Sequence, residues 1–130
     1  MACVLIVEDE DQVRVLADSY LQQQGHKTFS ASTIDGALAL LDGDQDIDLL
    51  LVDISLHDDI RAGLELAKQA AERRPELKVL YTTGAGITDG MRARFVQNWA
   101  FLPKPYTVDQ LQATLSVRFG IGPKTNRPAP

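Results

Sequence analysis

Val4-Leu5-Ile6-Val7-Glu8-Asp9 is an apolar run that ends on two adjacent acids, and three further stretches share that design. Leu49-Leu50-Leu51-Val52 stops at Asp53, Val79-Leu80-Tyr81 leads to Thr83, and Phe101-Leu102 leads to Lys104. Short runs of Val, Ile and Leu with no polar alternation read as strands covered on both faces, the usual condition of a parallel sheet. In open parallel sheets, ligands bind just beyond the carboxyl ends of the strands. Glu8, Asp9, Asp53, Thr83 and Lys104 are therefore expected to converge on one site.

Between these runs the apolar spacing becomes helical. Val13, Leu16, Ala17, Tyr20 and Leu21 form one helix face that should end near Gly25. Residues 27–31 make a weak second strand, and a second helix over 33–41 starts at Thr33 or Asp35, with Gly36 weakening its first turn. A strand over 48–52 is followed by a loop and a helix from about Leu64 to Arg74, stopped by Pro75. Residues 78–82 and 100–102 supply two more strands, with a short helix over 88–97 between them. Thr107 can cap a last helix that turns Val108, Leu111, Leu115 and Phe119 inward. Five strands alternating with five helices predict an α/β fold, a doubly wound parallel sheet, in one domain over 1–119. Residues 120–130 hold three prolines and two glycines and read as a disordered tail.

Composition narrows the class. With 45% hydrophobic and 24% charged residues in 130, the chain suits one soluble core. No stretch is long enough to span a bilayer, and Met1 leads directly into a strand with no basic leader, so a cytoplasmic location is expected. A net charge of −5, with scattered basic residues, argues against direct nucleic-acid binding. Cys3, the single cysteine, begins an apolar strand and reads as a small buried hydrophobe.

The strand ends carry a coherent chemistry. Glu8 and Asp9, joined by Asp53, form a hard oxygen site suited to Mg²⁺, and without a cation the three acids repel one another. Lys104 can hold a phosphate oxygen as a point charge, and Thr83 supplies a hydroxyl donor. The backbone N–H groups of Ile54 and Gly84 could meet the remaining oxygens. Such a set suits an aspartate that attacks phosphorus in an in-line transfer.

Four segments together give the chain its likeness to a known family: Val4-Leu5-Ile6-Val7-Glu8-Asp9-Glu10, Leu50-Leu51-Val52-Asp53-Ile54, Val79-Leu80-Tyr81-Thr82-Thr83-Gly84 and Phe101-Leu102-Pro103-Lys104-Pro105-Tyr106. Over residues 1–119 the chain resembles a response regulator receiver domain of two-component signalling, with its flavodoxin-like fold. The resemblance implies that Asp53 is the phosphoacceptor, Glu8 and Asp9 the metal-binding acids, and Ser55 a backbone carbonyl ligand of Mg²⁺. It implies further that Thr83 senses the phosphoryl group, Lys104 balances its charge, Phe101 is the aromatic switch, and the Lys104-Pro105 bond is cis. The implied partners are a sensor histidine kinase or phosphotransfer protein and a downstream protein, or a second copy of the chain. The target would meet the face of the fourth helix, fifth strand and fifth helix, where Met91, Phe95, Tyr106 and Val108 lie beside Arg92 and Arg94. Such a domain catalyses only its own phosphorylation and dephosphorylation. With no output module in the sequence, the signal is expected to leave through protein contact.

Departures from the family pattern cluster after Asp53. His57 stands where relatives usually have proline, and Gly63 comes about two residues late, so the loop over 54–62 is long and polar. His57 reads as solvated surface and Asp58 and Asp59 as turn residues, all outside the site. That loop leaves one alternative of another class, a non-phosphorylated pseudo-receiver acting as a protein-binding module.

Overall fold

In the computed structural model, which describes residues 2–122, the elements alternate along the chain. They are β1 (Cys3–Val7), α1 (Asp11–Gln23), β2 (Lys27–Ala31), α2 (Ile34–Leu41), β3 (Leu49–Asp53), α3 (Ile60–Arg73), β4 (Lys78–Thr83), α4 (Asp89–Arg92), β5 (Trp99–Pro103) and α5 (Val108–Phe119). All pairings are parallel and the sheet order is β2-β1-β3-β4-β5, the doubly wound arrangement expected from the sequence. One core, with Leu5, Leu50, Val52 and Val79, lies under α2, α3 and α4, and a second, with Ile6, Leu51 and Leu80, lies under α1 and α5. Covering both faces explains why the strands read as unbroken apolar runs.

Register brings the strand ends level. Val7 pairs with Val52, Asp53 with Thr82, and Thr83 with Pro103, so Glu8, Asp53, Thr83 and Lys104 emerge along one edge. At Gly63 the first turn of α3 presses on the end of β3, and its N–H donates to the Ile54 carbonyl at 3.1 Å. A Cβ there would lie 2.4 Å from the Asp53 carbonyl oxygen, so only glycine permits this approach.

Several boundaries differ from expectation. The α3 helix starts at Ile60, not Leu64, because the Asp59 side chain accepts the Arg61 N–H and caps it. The expected helix over 88–97 is a single turn, Asp89–Arg92, capped by Thr88. Beyond it the chain folds back so that Phe95 stacks on Tyr81 at 4.0 Å between ring centroids. The Val96 N–H donates to the Tyr81 hydroxyl at 3.0 Å. Tyr81 is fully buried and its hydroxyl needs a partner, which that backbone group supplies in place of further helix. Leu16 is not inward-facing but exposed, while Ala17 and Leu21 are buried as expected. A Thr107–Gln110 capping box opens α5, and Gly120, at φ 68°, closes it. Ile121 then packs into the core, so the stretch expected to be tail from Gly120 contributes its first residues to the folded body. Residues 123–130 lie outside the described residues. Among the described residues no helix is long and apolar enough to cross a membrane.

Candidate functional site

At the end of β1, the Glu8 N–H donates to the Ala31 carbonyl at 3.2 Å, extending the sheet by one bond and fixing the residue, which is 3% exposed. Its Oε2 accepts the Glu10 N–H at 3.1 Å, and its carbonyl accepts from Arg14 at 2.9 Å. Asp53, the last residue of β3, is equally buried, and its Oδ1 accepts the Ser55 N–H at 3.0 Å. Lys104 follows β5, with its N–H on the Thr83 carbonyl and a cis bond to Pro105. Its Nζ lies 2.9 Å from Glu8, 3.2 Å from Asp53 and 3.4 Å from Glu10. Buried Thr83 completes the edge, its hydroxyl 3.1 Å from that of Ser55.

One ammonium shared among three carboxylates leaves the pocket short of positive charge. Burial pushes Glu8 from its ordinary 4.5 up to about 7, against the opposing pull of Lys104, with the charge on Asp53 adding to the rise. Burial acts on Lys104 in the opposite sense, but its bonds to Glu8 and the charges of Glu8 and Asp53 prevail and hold it above its ordinary value. Partial burial also works against ionisation of Asp9. The His57 N–H, with help from Glu8, outweighs it and keeps the Asp9 carboxyl below the usual range. The imbalance has a chemical remedy. Glu8, Asp9 and Asp53 each place a carboxylate oxygen within 4.8 Å of the others, a spacing and a hard donor set that fit one divalent cation such as Mg²⁺.

A pH dependence follows. Glu8 is raised in the folded chain, so its contribution to metal-free stability is fullest below pH 4.5 and is lost as pH rises through about 7. A cation must also displace the proton from Glu8. Calorimetric Mg²⁺ titrations should therefore give an affinity up to roughly tenfold weaker at pH 6 than at pH 8. Equal affinities would show that Glu8 does not contribute.

Glu8, Asp9, Asp53, Thr83 and Lys104 lie at the strand ends as the sequence places them, and the Ser55 carbonyl accepts the Asp58 N–H at 3.0 Å; the Ile54 N–H does not reach the site. It donates to the Thr82 carbonyl at 2.8 Å, because sheet bonding continues past Asp53, and the Ser55 N–H takes its place at the carboxylate. His57 is not simply solvated surface. Its N–H holds Asp9 at 3.0 Å, and its Nε2 lies 3.1 Å from the Ser32 carbonyl, although the side chain remains 62% exposed. That contact needs left-handed backbone at His57 and Asp58, with φ of 52° and 62°, which nothing in their side chains signals. Tyr106 lies away from the fourth helix. It lines a cleft of about 410 Å³ with Val13, Leu16, Lys104 and Pro105 beside the acids. Burial, reinforced by Glu8, pushes its hydroxyl up to about 12. Met91 is buried and Phe95 is stacked inward, so the apolar residues expected on that helix face are spent internally. A larger cavity, about 700 Å³, lies at the opposite edge of the sheet. Its Arg74 is committed to the Leu41, Gly43 and Gln45 carbonyls, which makes it a brace for the end of α2.

Comparison with known proteins agrees with this geometry. Residues 4–116 match the model of the response regulator receiver domain. The sensor kinase CckA of Brucella abortus (strain 2308) is 28% identical over 118 residues, 88% of this chain but 12% of that protein. The KDP operon transcriptional regulatory protein KdpE of Escherichia coli (strain K12) is 28% identical over 130 residues, spanning 100% of this chain and 56% of KdpE. Among solved structures, NtrX from Brucella abortus superposes with a TM-score of 0.79 at 30% identity, covering 92% of this chain and 27% of NtrX. The receiver domain of the hybrid histidine kinase CckA gives 0.74 at 26% identity, covering 90% of this chain and 98% of that one. With its sheet order, its level strand ends and a family match over 4–116, this chain belongs to the response regulator receiver domain family of two-component systems.

Proposed function

We propose that the chain takes a phosphoryl group from a histidine of a sensor kinase or phosphotransfer protein onto Asp53, and that this switches its contacts with other proteins. The observation that carries the reading is the position of Lys104 Nζ, within 3.2 Å of Asp53 and 2.9 Å of Glu8, with Thr83 at the neighbouring strand end. In the transfer an Asp53 oxygen forms the new bond to phosphorus as the bond to the donor nitrogen breaks. Lys104 pairs with one phosphoryl oxygen and the Thr83 hydroxyl donates to another. Glu8, Asp9, Asp53 and the Ser55 carbonyl would hold Mg²⁺, which supplies charge neutralisation for the transferring group. A donor charged from ATP sets the working location as the cytoplasm. The contacts of the loop after Asp53 remove no member of this set, so the binding-module alternative gains no support. Exposure to a small-molecule phosphodonor with Mg²⁺, followed by intact mass, tests the reading: one phosphoryl group should be added, and an unchanged mass would refute it.

The response would pass along β4. Thr83 and Tyr81 alternate onto the same side of the strand, and Tyr81 is paired in register with the half-buried Phe101. When the phosphoryl oxygen draws the Thr83 hydroxyl and the end of β4 toward Asp53, Phe101 can turn inward beside it, altering the surface of α4, β5 and α5 through a bistable repacking. That face would meet the downstream protein or a second copy of the chain. Thr83→Ala should leave labelling of Asp53 within about threefold of wild type while weakening the shift of the Phe101 and α4 resonances on phosphorylation by about tenfold. An undiminished shift would refute the role given to Thr83.

A further inference from the structure

The Thr83 side chain is almost fully enclosed, at 1% exposure, so its hydroxyl must find its partners inside the protein. Two are present. The Ala85 N–H donates to Thr83 Oγ1 at 3.3 Å, and Ser55 Oγ lies 3.1 Å away across the gap between β3 and β4. Ser55 is itself held at two points. Its N–H is on Asp53 Oδ1 at 3.0 Å, and its carbonyl accepts the Asp58 N–H at 3.0 Å. A continuous hydrogen-bonded path thus runs from Asp53 through Ser55 to Thr83 and Ala85. Its consequence is directional, because Thr83 Oγ1 is fixed toward the residue that contacts the Asp53 carboxylate.

We propose that the Ser55 hydroxyl is a positioning group that holds Thr83 turned toward the acceptor before any phosphoryl oxygen arrives. The proposal rests on the reading of Asp53 as the phosphoacceptor and gives Ser55 a side-chain role in addition to its carbonyl. Without this partner Thr83 Oγ1 keeps only the longer Ala85 contact at 3.3 Å, and its rotamer has to be ordered more fully when the phosphoryl group appears. With Ser55 present the rotamer is already selected. Thr83 Oγ1 can accept from both the Ala85 N–H and the Ser55 hydroxyl, which leaves its own proton free for a phosphoryl oxygen, a charged and stronger acceptor.

The test compares Ser55→Ala and Ser55→Thr with wild type in the full chain, using beryllofluoride with Mg²⁺ as the phosphoryl mimic. Affinity is read by calorimetry, and the Thr83 rotamer by scalar couplings to its methyl carbon in the free protein. Ser55→Ala should bind the mimic about fivefold more weakly, the cost of ordering one side chain on binding, and its Thr83 couplings should show rotamer averaging. Ser55→Thr, which restores the hydroxyl, should recover both. Mimic binding by Ser55→Ala as tight as wild type or tighter, a single Thr83 rotamer in Ser55→Ala, or no recovery in Ser55→Thr would each overturn the proposal. Failure of the wild type to bind the mimic would instead refute the acceptor reading, and the couplings of the free protein would still decide the role of Ser55.

Discussion

Asp53→Asn should abolish phosphoryl incorporation to below detection, and removal of divalent cations from the wild type should do the same. The amide keeps the size of the side chain and can still accept the Ser55 N–H, but it loses the anionic oxygen that would attack phosphorus. The substitution also changes the charge of the cluster. Asp53 is one of the charges that raise Glu8, so Asp53→Asn should lower the Glu8 pKa and weaken Mg²⁺ binding together. Intact-mass labelling and a calorimetric Mg²⁺ titration of the same preparation check both effects. Labelling that persisted in Asp53→Asn, or in wild type with chelator, would place the acceptor elsewhere.

The second large effect is structural. Gly63→Ala would put a Cβ 2.4 Å from the Asp53 carbonyl oxygen, 2.5 Å from Ile54 Cα and 2.6 Å from the Ile54 carbonyl oxygen. All three are backbone atoms, so no rotamer change relieves the clash, and α3 must move away from β3 or the end of β3 must shift. Either response strains the Gly63 N–H bond to Ile54 and displaces Asp53, the proposed acceptor. A loss on the order of 2–4 kcal/mol is expected, seen as a fall in melting temperature of roughly 10 °C. Labelling of the folded fraction should also decline. Melting within a degree or two of wild type would show that the close approach is not needed.

The acidic site was legible because its members occupy one repeated position, the residues just beyond an apolar run, and parallel register brings those positions level. Where a side chain's position depends only on strand order, the sequence is a sufficient guide, as for Asp53, Thr83 and Lys104. Roles that depend on a loop's path were not legible. His57 reaches Asp9 only because two non-glycine residues adopt left-handed backbone, and composition does not encode that choice. The spacing over 88–97 overstates α4 for a non-local reason: helical continuation loses to the stacking of Phe95 on a tyrosine from a different element. The Ile54 N–H reads as free for the site because it follows the end of an apolar run, whereas the ladder continues past Asp53 and takes it.

The aromatic contact that replaces the second half of α4 gives the molecule an optical label of its own. Trp99, the sole tryptophan of the chain, meets Phe95 edge-on at 4.9 Å, with the Arg92 and Arg118 guanidinium carbons each 5.9 Å from its ring centroid. Indole emission from this protein therefore originates at one point, on the strand that also carries Phe101 and between the helices of the proposed output face. Its intensity and wavelength are set by two cations and a phenyl ring from segments flanking that strand. A rearrangement of the face that moves Phe95, Arg92 or Arg118 relative to the indole should therefore change the native fluorescence, with no dye attached.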